Sequence, residues 1–337
     1  MPSRRKRATI REVAQATGLS PAAVSYALRG IQTSEETQER VRAAAQELGY
    51  EAHPIARALA SGRTGMVGLL CGSLGDYWQQ SLAVGIGREL LARDRYALIV
   101  DAGNDPDRER VLARQLRDQR VDGLIVQPLD PSAELWAELA ETIPVVSIGD
   151  ALRGDHSQGE VVFDNRRGVT LALEHLHALG HRRVAVFSPT LASTPDRPAD
   201  VHVNAEAERL GLTVDLIVAP QSLPEATEVA IRVLAGRDRP SAVFCFSDSI
   251  AYGVYAATRE LGLAVPGDVA VCGYDSHPMS ALLTPPLTTV DWDIDGIVAA
   301  AVRLIVEVID GTPRHRRVVR EPALRVRAST GRGAPDR

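Results

Sequence analysis

The organisation of the first part of the chain follows from residues 9–30, which read TIREVAQATGLSPAAVSYALRG. Apolar side chains recur over 10–17 at the i, i+3, i+4, i+7 spacing of a short amphipathic helix. Gly18 ends that helix, and Ser20 with Pro21 begins another, because serine caps free helical N–H groups and proline needs no N–H at the first position. The sequence therefore predicts two short helices joined by a tight turn.

The second of these helices, over 21–28, has an apolar face and an outer face. A third helix is expected to begin at Ser34 and to end at Gly49. Two short helices joined by a turn that contains glycine form a helix-turn-helix, whose second helix enters the major groove of DNA. An ordinary helical hairpin is the alternative, and the order of caps and turn in a basic segment favours DNA binding over it. The outer face of the second helix consists of Ala22, Ser25, Tyr26 and Arg29.

Charge is divided unevenly along the chain. Residues 1–63 hold ten basic and six acidic side chains, whereas the remaining 274 residues hold 28 basic and 37 acidic ones, and the whole chain carries −5. A basic N-terminal segment on an acidic body favours a module that binds a polyanion, joined to a module with another task.

The composition of the 337 residues excludes several classes of protein. An apolar fraction of 45% over this length is enough for about two domains with buried cores. The three cysteines, Cys71, Cys245 and Cys272, lack C-x-x-C spacing, which excludes a disulfide framework and a thiolate zinc site and suits a reducing compartment. No apolar run is long enough for a membrane span, and no signal core follows the basic N-terminus. We expect a cytoplasmic protein that does not bind a membrane.

Beyond residue 64 short apolar runs alternate with helical stretches. This alternation predicts an α/β fold with parallel sheets and right-handed crossovers. It restarts after about residue 164, which predicts two doubly wound parallel-sheet lobes with a cleft between them. Strands are expected at 66–71, 96–100, 123–127, 144–148, 184–187, 214–218, 242–246, 269–274 and 317–327. Helices are expected at 81–93, 107–119, 132–141, 165–179, 204–210, 225–235, 249–261 and 293–310.

Two carboxylates follow strands of the second lobe at the ends where a ligand is expected. Asp248 follows the run 244–247, and Asp275 follows 272–274. Ligands of such folds bind outside the carboxyl ends of the strands. Buried carboxylates accept strong hydrogen bonds from sugar hydroxyls or from the N–H groups of bases. Asp248 and Asp275 are therefore candidate ligand-binding residues.

Catalytic and cofactor-binding motifs are incomplete. Ser247, Asp275 and His277 lack the G-x-S-x-G elbow of a hydrolase. Residues 85–87 lack the third glycine of a dinucleotide fingerprint and lie inside a predicted helix. The histidines near residue 177 point to different sides of a helix, which argues against a metal site. We expect no catalytic residues, no cofactor and no metal, and therefore no enzyme.

Motifs along nearly the whole chain resemble those of the LacI/GalR family of transcriptional repressors. They lie in the head at 9–14, 18–20, 24–25 and 37–50, next to it at 53–64, and in the body at 174–184, 246–253, 261–275 and 286–290. The resemblance implies a small N-terminal all-α helix-turn-helix domain at 1–52, a hinge helix at 53–63, a periplasmic-binding-protein-like core at 64–327 and a tail at 328–337. In that core, lobe 1 is expected at about 64–163 and 291–327, and lobe 2 at about 164–290.

The resemblance also implies DNA contacts from the head and the hinge. In that family the hinge helix orders on DNA, and Leu59 matches the apolar wedge that enters the minor groove between base steps. Packing of Leu59 on its own domain is the alternative. The head departs from the family at Tyr26, where an arginine is frequent, so residue 26 offers no arginine contact to guanine. The expected DNA-binding residues are Thr9, Ser20, Pro21, Ala22, Ser25, Tyr26, Arg29, Ala56 and Leu59.

Contacts to a small-molecule effector are implied in the same way. Arg197 matches a family arginine, although the Arg-x-x-Gly-aromatic run of the family is replaced here by residues 197–201 with the sequence RPADV. For the aromatic candidates, a place in the core or at an interface is the alternative. The expected effector-binding residues are Tyr77, Trp78, Phe163, Arg197, Phe244, Asp248, Asp275 and Trp292.

The implied function is that of a sequence-specific DNA-binding regulator, by expectation a repressor, whose operator affinity depends on an effector, with a sugar favoured. A homodimer with two heads is expected to bind a pseudo-palindromic operator in double-stranded DNA. A solute-binding protein of a transporter is the alternative, because it shares the core. That class predicts a signal peptide and no helix-turn-helix.

Overall fold

The computed structural model describes residues 8–50, 62–154, 157–189, 198–312 and 315–331, without the side chains of 198–200. Within these ranges the chain forms two compact units, of which the first ends at Thr64 and the second begins at Gly65. The candidates Ala56, Leu59 and Arg197 lie outside the described residues.

Over residues 8–50, the described part of the first unit, the chain forms a head of three helices. These are α1 (Ile10–Thr17), α2 (Pro21–Leu28) and α3 (Glu35–Leu48). The side chains of Thr9, Ser20 and Ser34 accept hydrogen bonds from backbone N–H groups at the three helix starts. Gly18, at φ 68°, turns the chain after α1 in the left-handed conformation that glycine adopts readily. The structure confirms the predicted helix-turn-helix. The motif could be predicted because local caps specify where its helices begin and end.

The core of the head is small and aliphatic. Val13, Val24 and Val41, one from each helix, are fully buried, and Ala14, Ala27 and Ala45 complete the cluster. This burial on one side of α2 leaves its opposite side exposed.

The second unit contains two six-stranded sheets, one in each lobe. The strands of the first are β1 (Met66–Cys71), β2 (Tyr96–Asp101), β3 (Gly123–Val126), β4 (Val145–Gly149), β5 (Gly159–Phe163) and β11 (Arg316–Arg320). The strands of the second are β6 (Arg183–Ser188), β7 (Thr213–Val218), β8 (Ala242–Cys245), β9 (Ala270–Gly273), β10 (Thr288–Asp291) and β12 (Ala323–Arg325). The spatial orders are β11-β5-β4-β3-β1-β2 and β12-β10-β9-β8-β6-β7. Neighbouring strands are parallel except for β10 and β12, so the α/β fold class is confirmed.

Helices cover the sheets. The first lobe has α4 (Tyr77–Leu91), α5 (Pro106–Asp118) and α6 (Leu135–Ala140), and the second has α7 (Asn165–Ala178), α8 (Pro198–Leu210), α9 (Leu223–Leu234) and α10 (Asp248–Leu261). Helix α11 (Ile294–Ile309) returns to the first lobe and packs on α4. Gly85 permits this approach, because a β-carbon there would lie 2.8 Å from Cγ2 of Val298. No helix in the described part of the chain is long and apolar enough to span a bilayer.

Within the described ranges the chain crosses between the lobes three times, after Phe163, after Asp291 and after Arg320. At the second and third crossings, the guanidinium of Arg320 donates a hydrogen bond to the carboxylate of Asp293. These three connections form the interlobe hinge, which is distinct from the hinge helix predicted at 53–63.

The third crossing corrects the expected boundary of the first lobe. The sequence predicts one strand over 317–327 in that lobe, but β11 ends at Arg320 and β12 pairs with β10 in the second sheet. Pro322 separates the two strands because it lacks a ladder N–H. The expected separate tail also begins too early, since Ser329 Oγ donates to the carbonyl of Val271 at 2.6 Å.

Candidate functional site

The outer face of α2 is the candidate surface for DNA. Pro21, Ala22, Tyr26 and Arg29 are exposed, and Ser25 is half-buried. The N–H groups of the first helical turn are only partly used, because the Ser20 side chain accepts from the backbone of residue 23 alone. A helix N-terminus with free N–H groups attracts phosphate oxygens. The face therefore combines a phosphate-attracting end with a side available to base edges.

Arg29 and Tyr26 form one unit on this face. The guanidinium carbon of Arg29 lies 5.2 Å from the centre of the Tyr26 ring, and Arg29 Nε donates to the carbonyl of Ser25 at 3.2 Å. The contact is a cation–π arrangement. The guanidinium N–H donors of Arg29 thus lie beside the Tyr26 ring. Arg29 therefore supplies an arginine one helical turn after residue 26, where the family frequently has one.

Thr9 has a different local task. Its backbone N–H and its hydroxyl donate to Glu12 Oε2 at 2.6 and 3.0 Å, which completes a capping box at the start of α1. Thr9 is exposed, so its role in DNA binding remains a prediction beside this structural one.

Asp248 holds the wall of the cleft and is itself fully engaged. Its Oδ1 accepts from Thr289 Oγ1 at 2.6 Å and from the N–H groups of Tyr274 and Asp275 at 3.0 and 3.3 Å. Its Oδ2 accepts from the N–H of His277 at 2.9 Å and from a serine hydroxyl at residue 280. A carboxylate offers about four lone-pair positions, and Asp248 is 1% exposed. Asp248 therefore fixes the loop that follows β9, and its direct contact with an effector stays a prediction beside this structural role.

Asp275 lies in the loop after β9 that Asp248 fixes, and it is the second candidate carboxylate for ligand binding. Its Oδ2 accepts from the N–H of Asp248 at 2.8 Å, and the residue is half-buried. Ser276, the next residue, has a φ of 51°, a left-handed conformation that is uncommon for a side-chain-bearing residue. Burial and the neighbouring carboxylates of Asp76 and Asp248 raise the pKa of Asp275 well above its ordinary range. A hydrogen-bond donor of a ligand would relieve this unfavourable environment.

Aromatic rings connect the two lobes beside Asp275. The Phe163 ring meets Trp78 edge-on at 5.7 Å and stacks on Trp292 at 5.0 Å. Trp292 meets Tyr274 at 5.3 Å, and Tyr274 lies 5.7 Å from Phe244. Such pairs stabilise packing beyond the area that they bury. Four of the five aromatic residues predicted from the sequence, all except Tyr77, thus form a single cluster with Tyr274. Phe244 is completely buried in this cluster.

Two members of this aromatic set remain available for other contacts. The indole Nε1 of Trp78 is buried and has no hydrogen-bond partner within the described ranges. Tyr77 is 42% exposed, and its ring lies 5.7 Å from that of His277 and 6.3 Å from that of Tyr252 in the second lobe. Tyr77 therefore lies at the rim, whereas Trp78 lies inside.

Asp76 is a polar residue of the cleft that sequence reasoning missed. It precedes α4 in the first lobe, is 2% exposed, and accepts a hydrogen bond from the amide of Gln221 in the second lobe at 2.8 Å. Burial raises the pKa of Asp76. The only local signal is its position as an N-cap of α4, which carries no information about the partner lobe.

Ser247 and His277, which the sequence analysis considered as part of a hydrolase triad, have other partners in the structure. Ser247 Oγ donates to Asp76 at 3.1 Å, and His277 Nδ1 lies 3.3 Å from the hydroxyl of Tyr252. Across the described ranges, no three His, Cys, Asp or Glu side chains are arranged to hold a metal ion. The arrangement is suited to holding a polar ligand by hydrogen bonds and ring contacts.

Comparison with protein families matches both units separately. Residues 9–53 match the family of bacterial regulatory proteins of the lacI type, and residues 173–330 match a periplasmic binding protein-like domain. The HTH-type transcriptional regulator MalR of Streptomyces coelicolor is 34% identical over 97% of this chain and 97% of its own length. The HTH-type transcriptional repressor PurR of Vibrio atlanticus is 28% identical over 92% of this chain and 95% of its own length.

Solved structures agree with the fold. The lac repressor dimer bound to operator and the anti-inducer ONPF superposes with a TM-score of 0.83 at 23% identity, over 97% of this chain and all of that one. The transcriptional regulator CelR in complex with cellobiose gives a TM-score of 0.67 at 27% identity, over 96% of this chain and all of that one. The similarity extends over the head and both lobes.

Proposed function

The chain belongs to the LacI family of bacterial regulatory proteins, and on this basis we propose that it is a DNA-binding transcriptional repressor controlled by a small-molecule effector. The observation that carries the proposal is the joining of an exposed recognition helix to a two-lobed, polar cleft in one chain. The head argues against the solute-binding alternative, since that class has no use for a helix-turn-helix. We place its action in the cytoplasm, where its DNA is, and assign it no catalytic step.

DNA contact in this proposal comes from α2 and from the hinge. Tyr26 and Arg29 read base edges, and Ala22 packs against the groove. The hinge at 53–63 stays a prediction from sequence: Leu59→Ala is expected to weaken operator binding, measured by fluorescence anisotropy, with the oligomeric state unchanged. Equal binding by the variant would remove the wedge role of Leu59.

The effector binds between the lobes in this proposal, with Asp275 as its principal hydrogen-bond acceptor. Trp78 Nε1 has no hydrogen-bond partner among the described residues and is an available donor in the wall, with the rings of Phe163 and Trp292 next to it. Hydroxyls and C–H faces of a sugar match acceptors and aromatic rings of this type. The related CelR, which was solved with cellobiose, supports a sugar.

A homodimer is part of the proposal. Large apolar side chains are exposed on the first lobe, where Leu91 is 57% and Tyr96 63% accessible, and on the second lobe, where Leu282 is 74% accessible. We assign these exposed side chains to the contact between two copies. Two copies place two heads on the half-sites of a palindrome.

The full-length protein tests the proposal directly. Selection from random duplexes should yield a roughly palindromic sequence that the intact chain binds and that a chain lacking residues 1–63 does not bind. Screening by calorimetry against sugars and nucleosides should then find a compound that changes the affinity for that duplex. Failure to select any duplex would contradict the proposal.

A further inference from the structure

We propose that Asp76 is a latch that holds the two lobes together. Asp76 lies in the first lobe, between β1 and α4. Its Oδ2 accepts from Gln221 Nε2 at 2.8 Å, from Ser247 Oγ at 3.1 Å and from Ser249 Oγ at 3.4 Å, all of which belong to the second lobe.

The two oxygens of Asp76 have separate roles. Oδ1 accepts from the N–H of Gln79 at 3.0 Å and caps α4 within its own lobe, whereas Oδ2 is directed to the second lobe. The cap fixes the carboxylate in place, so that it meets its partners without first losing rotamer freedom. A helix cap alone would not require three donors from another lobe.

Burial makes these contacts strong and directional. Asp76 is 2% exposed, and Ser247 and Ser249 are 1% and 3% exposed. Hydrogen bonds to a carboxylate are roughly twice as strong as those between neutral groups. The neighbouring residue Tyr77 lies against rings of the second lobe, so the latch belongs to a continuous line of contact between the lobes.

The latch lies next to the proposed effector site but does not depend on that function. Ser247, which donates to Asp76, is followed by Asp248, the first residue of α10, whose N–H donates to Asp275. A ligand at Asp275 therefore lies next to the latch. Loosening the latch lowers the closed fraction, and the apparent affinity for any ligand of the closed form falls in proportion.

The distance between the lobes in the intact, ligand-free protein tests the latch. Nitroxide labels on Gln115→Cys in α5 and Arg232→Cys in α9, both at exposed positions, report this distance by pulsed electron resonance. The native cysteines are buried, and an excess of unlabelled chain suppresses distances between copies. The unsubstituted latch should give one narrow distribution.

A charge reversal separates the latch from the helix cap. Gln221→Glu places a second carboxylate against Asp76 without touching α4 and should give a longer, broader distribution. Adding Asp76→Asn should restore the narrow distribution, because the new amide donates to the new carboxylate and its oxygen still caps α4. Asp105→Ala is the matched control, since Asp105 caps α5 by accepting from the N–H groups of residues 107 and 108.

The outcomes decide the proposal. Opening by Gln221→Glu, closure by the double variant and no change in the control support the latch. An unchanged distribution in Gln221→Glu, a double variant that stays as open as the single one, or equal opening in Asp105→Ala would overturn it.

Discussion

The outer face of α2 and the wall of the cleft use polar side chains in opposite ways. On α2, Arg29 lies against the Tyr26 ring and donates to its own helix, and both side chains are exposed to solvent. In the wall, Asp248 accepts from the loop after β9 and from Thr289 of β10, and Asp76 connects the two lobes. Side chains on α2 are therefore accessible for readout, whereas those in the wall build the structure that holds Asp275.

The largest difference between the two regions should appear in stability. Asp248→Ala leaves several buried donors without an acceptor, and each costs about 1–3 kcal/mol, so the free energy of unfolding should fall by at least about 3 kcal/mol. Urea unfolding, followed by the fluorescence of the three tryptophans, measures this change. Tyr26→Ala is the matched change on α2 and should cost far less. A loss below about 1 kcal/mol for Asp248→Ala would remove the contrast.

Asp275→Asn should weaken effector binding while the hydrogen bond that holds residue 275 in the cleft is kept. The amide keeps an oxygen for the N–H of Asp248 but no longer accepts a charge-assisted bond from a ligand, a loss of about 1.5–3 kcal/mol, or roughly 10–100-fold in affinity. Effector response should disappear while binding to the selected duplex stays normal. Calorimetry with the effector measures the loss, and an unchanged dissociation constant would exclude Asp275 from the site.

Single changes on α2 should affect DNA binding alone. Tyr26→Ala and Arg29→Ala are each expected to weaken binding to the selected duplex by about 1–3 kcal/mol, measured by anisotropy at fixed salt. Because the two side chains stack, the double variant should lose less than the sum of the single losses. Strict additivity would show that the stacked arrangement is irrelevant to readout, and a lowered melting temperature would show that the face is structural.

The smallest expected effect is a dependence of the free energy of unfolding on pH, which arises from two histidines near residues 330 and 331. His175 Nε2 lies 2.8 Å from Thr330 Oγ1, and His181 Nε2 lies 3.0 Å from the carbonyl of Gly331. Burial lowers the pKa of both histidines, so the unfolded chain binds more protons than the folded one below the ordinary histidine value of about 6.5. Stability should therefore fall as pH drops through that value.

Urea unfolding between pH 8 and 5 measures how the free energy of unfolding depends on pH. This range lies on both sides of the ordinary histidine pKa of about 6.5. The variant with His175→Gln and His181→Gln should show a flatter profile in the acid range and little change at neutral pH. His177→Gln, on the same helix, is the control. Identical profiles for the wild type and the double variant would contradict the assignment.

What the sequence predicted correctly is largely local. The head was readable because Thr9, Ser20, Gly18 and Ser34 specify the helix ends through contacts within four residues. The alternation of the body was readable because strands buried on both faces are continuous apolar runs.

What the sequence missed depends on contacts across the fold. Strand β5 contains Glu160, whose carboxylate is buried against Arg317 at 2.7 Å, so the apolar run is interrupted and no strand was predicted there. The partners of Asp76 and Asp248 lie up to 173 residues away. The structural role of Asp248, which accepts hydrogen bonds from the loop after β9, can therefore be read only from the folded chain.

The central claim is that the head binds duplex DNA and that the state of the cleft controls this binding. The most direct measurement is the affinity of the full-length protein for its selected duplex, with and without the effector found by calorimetry, at one salt concentration. We predict a preference over random duplex of at least about 10³-fold that changes about tenfold or more with effector, a coupling of roughly 1.4 kcal/mol. The same affinity for every duplex, with or without effector, would contradict the account.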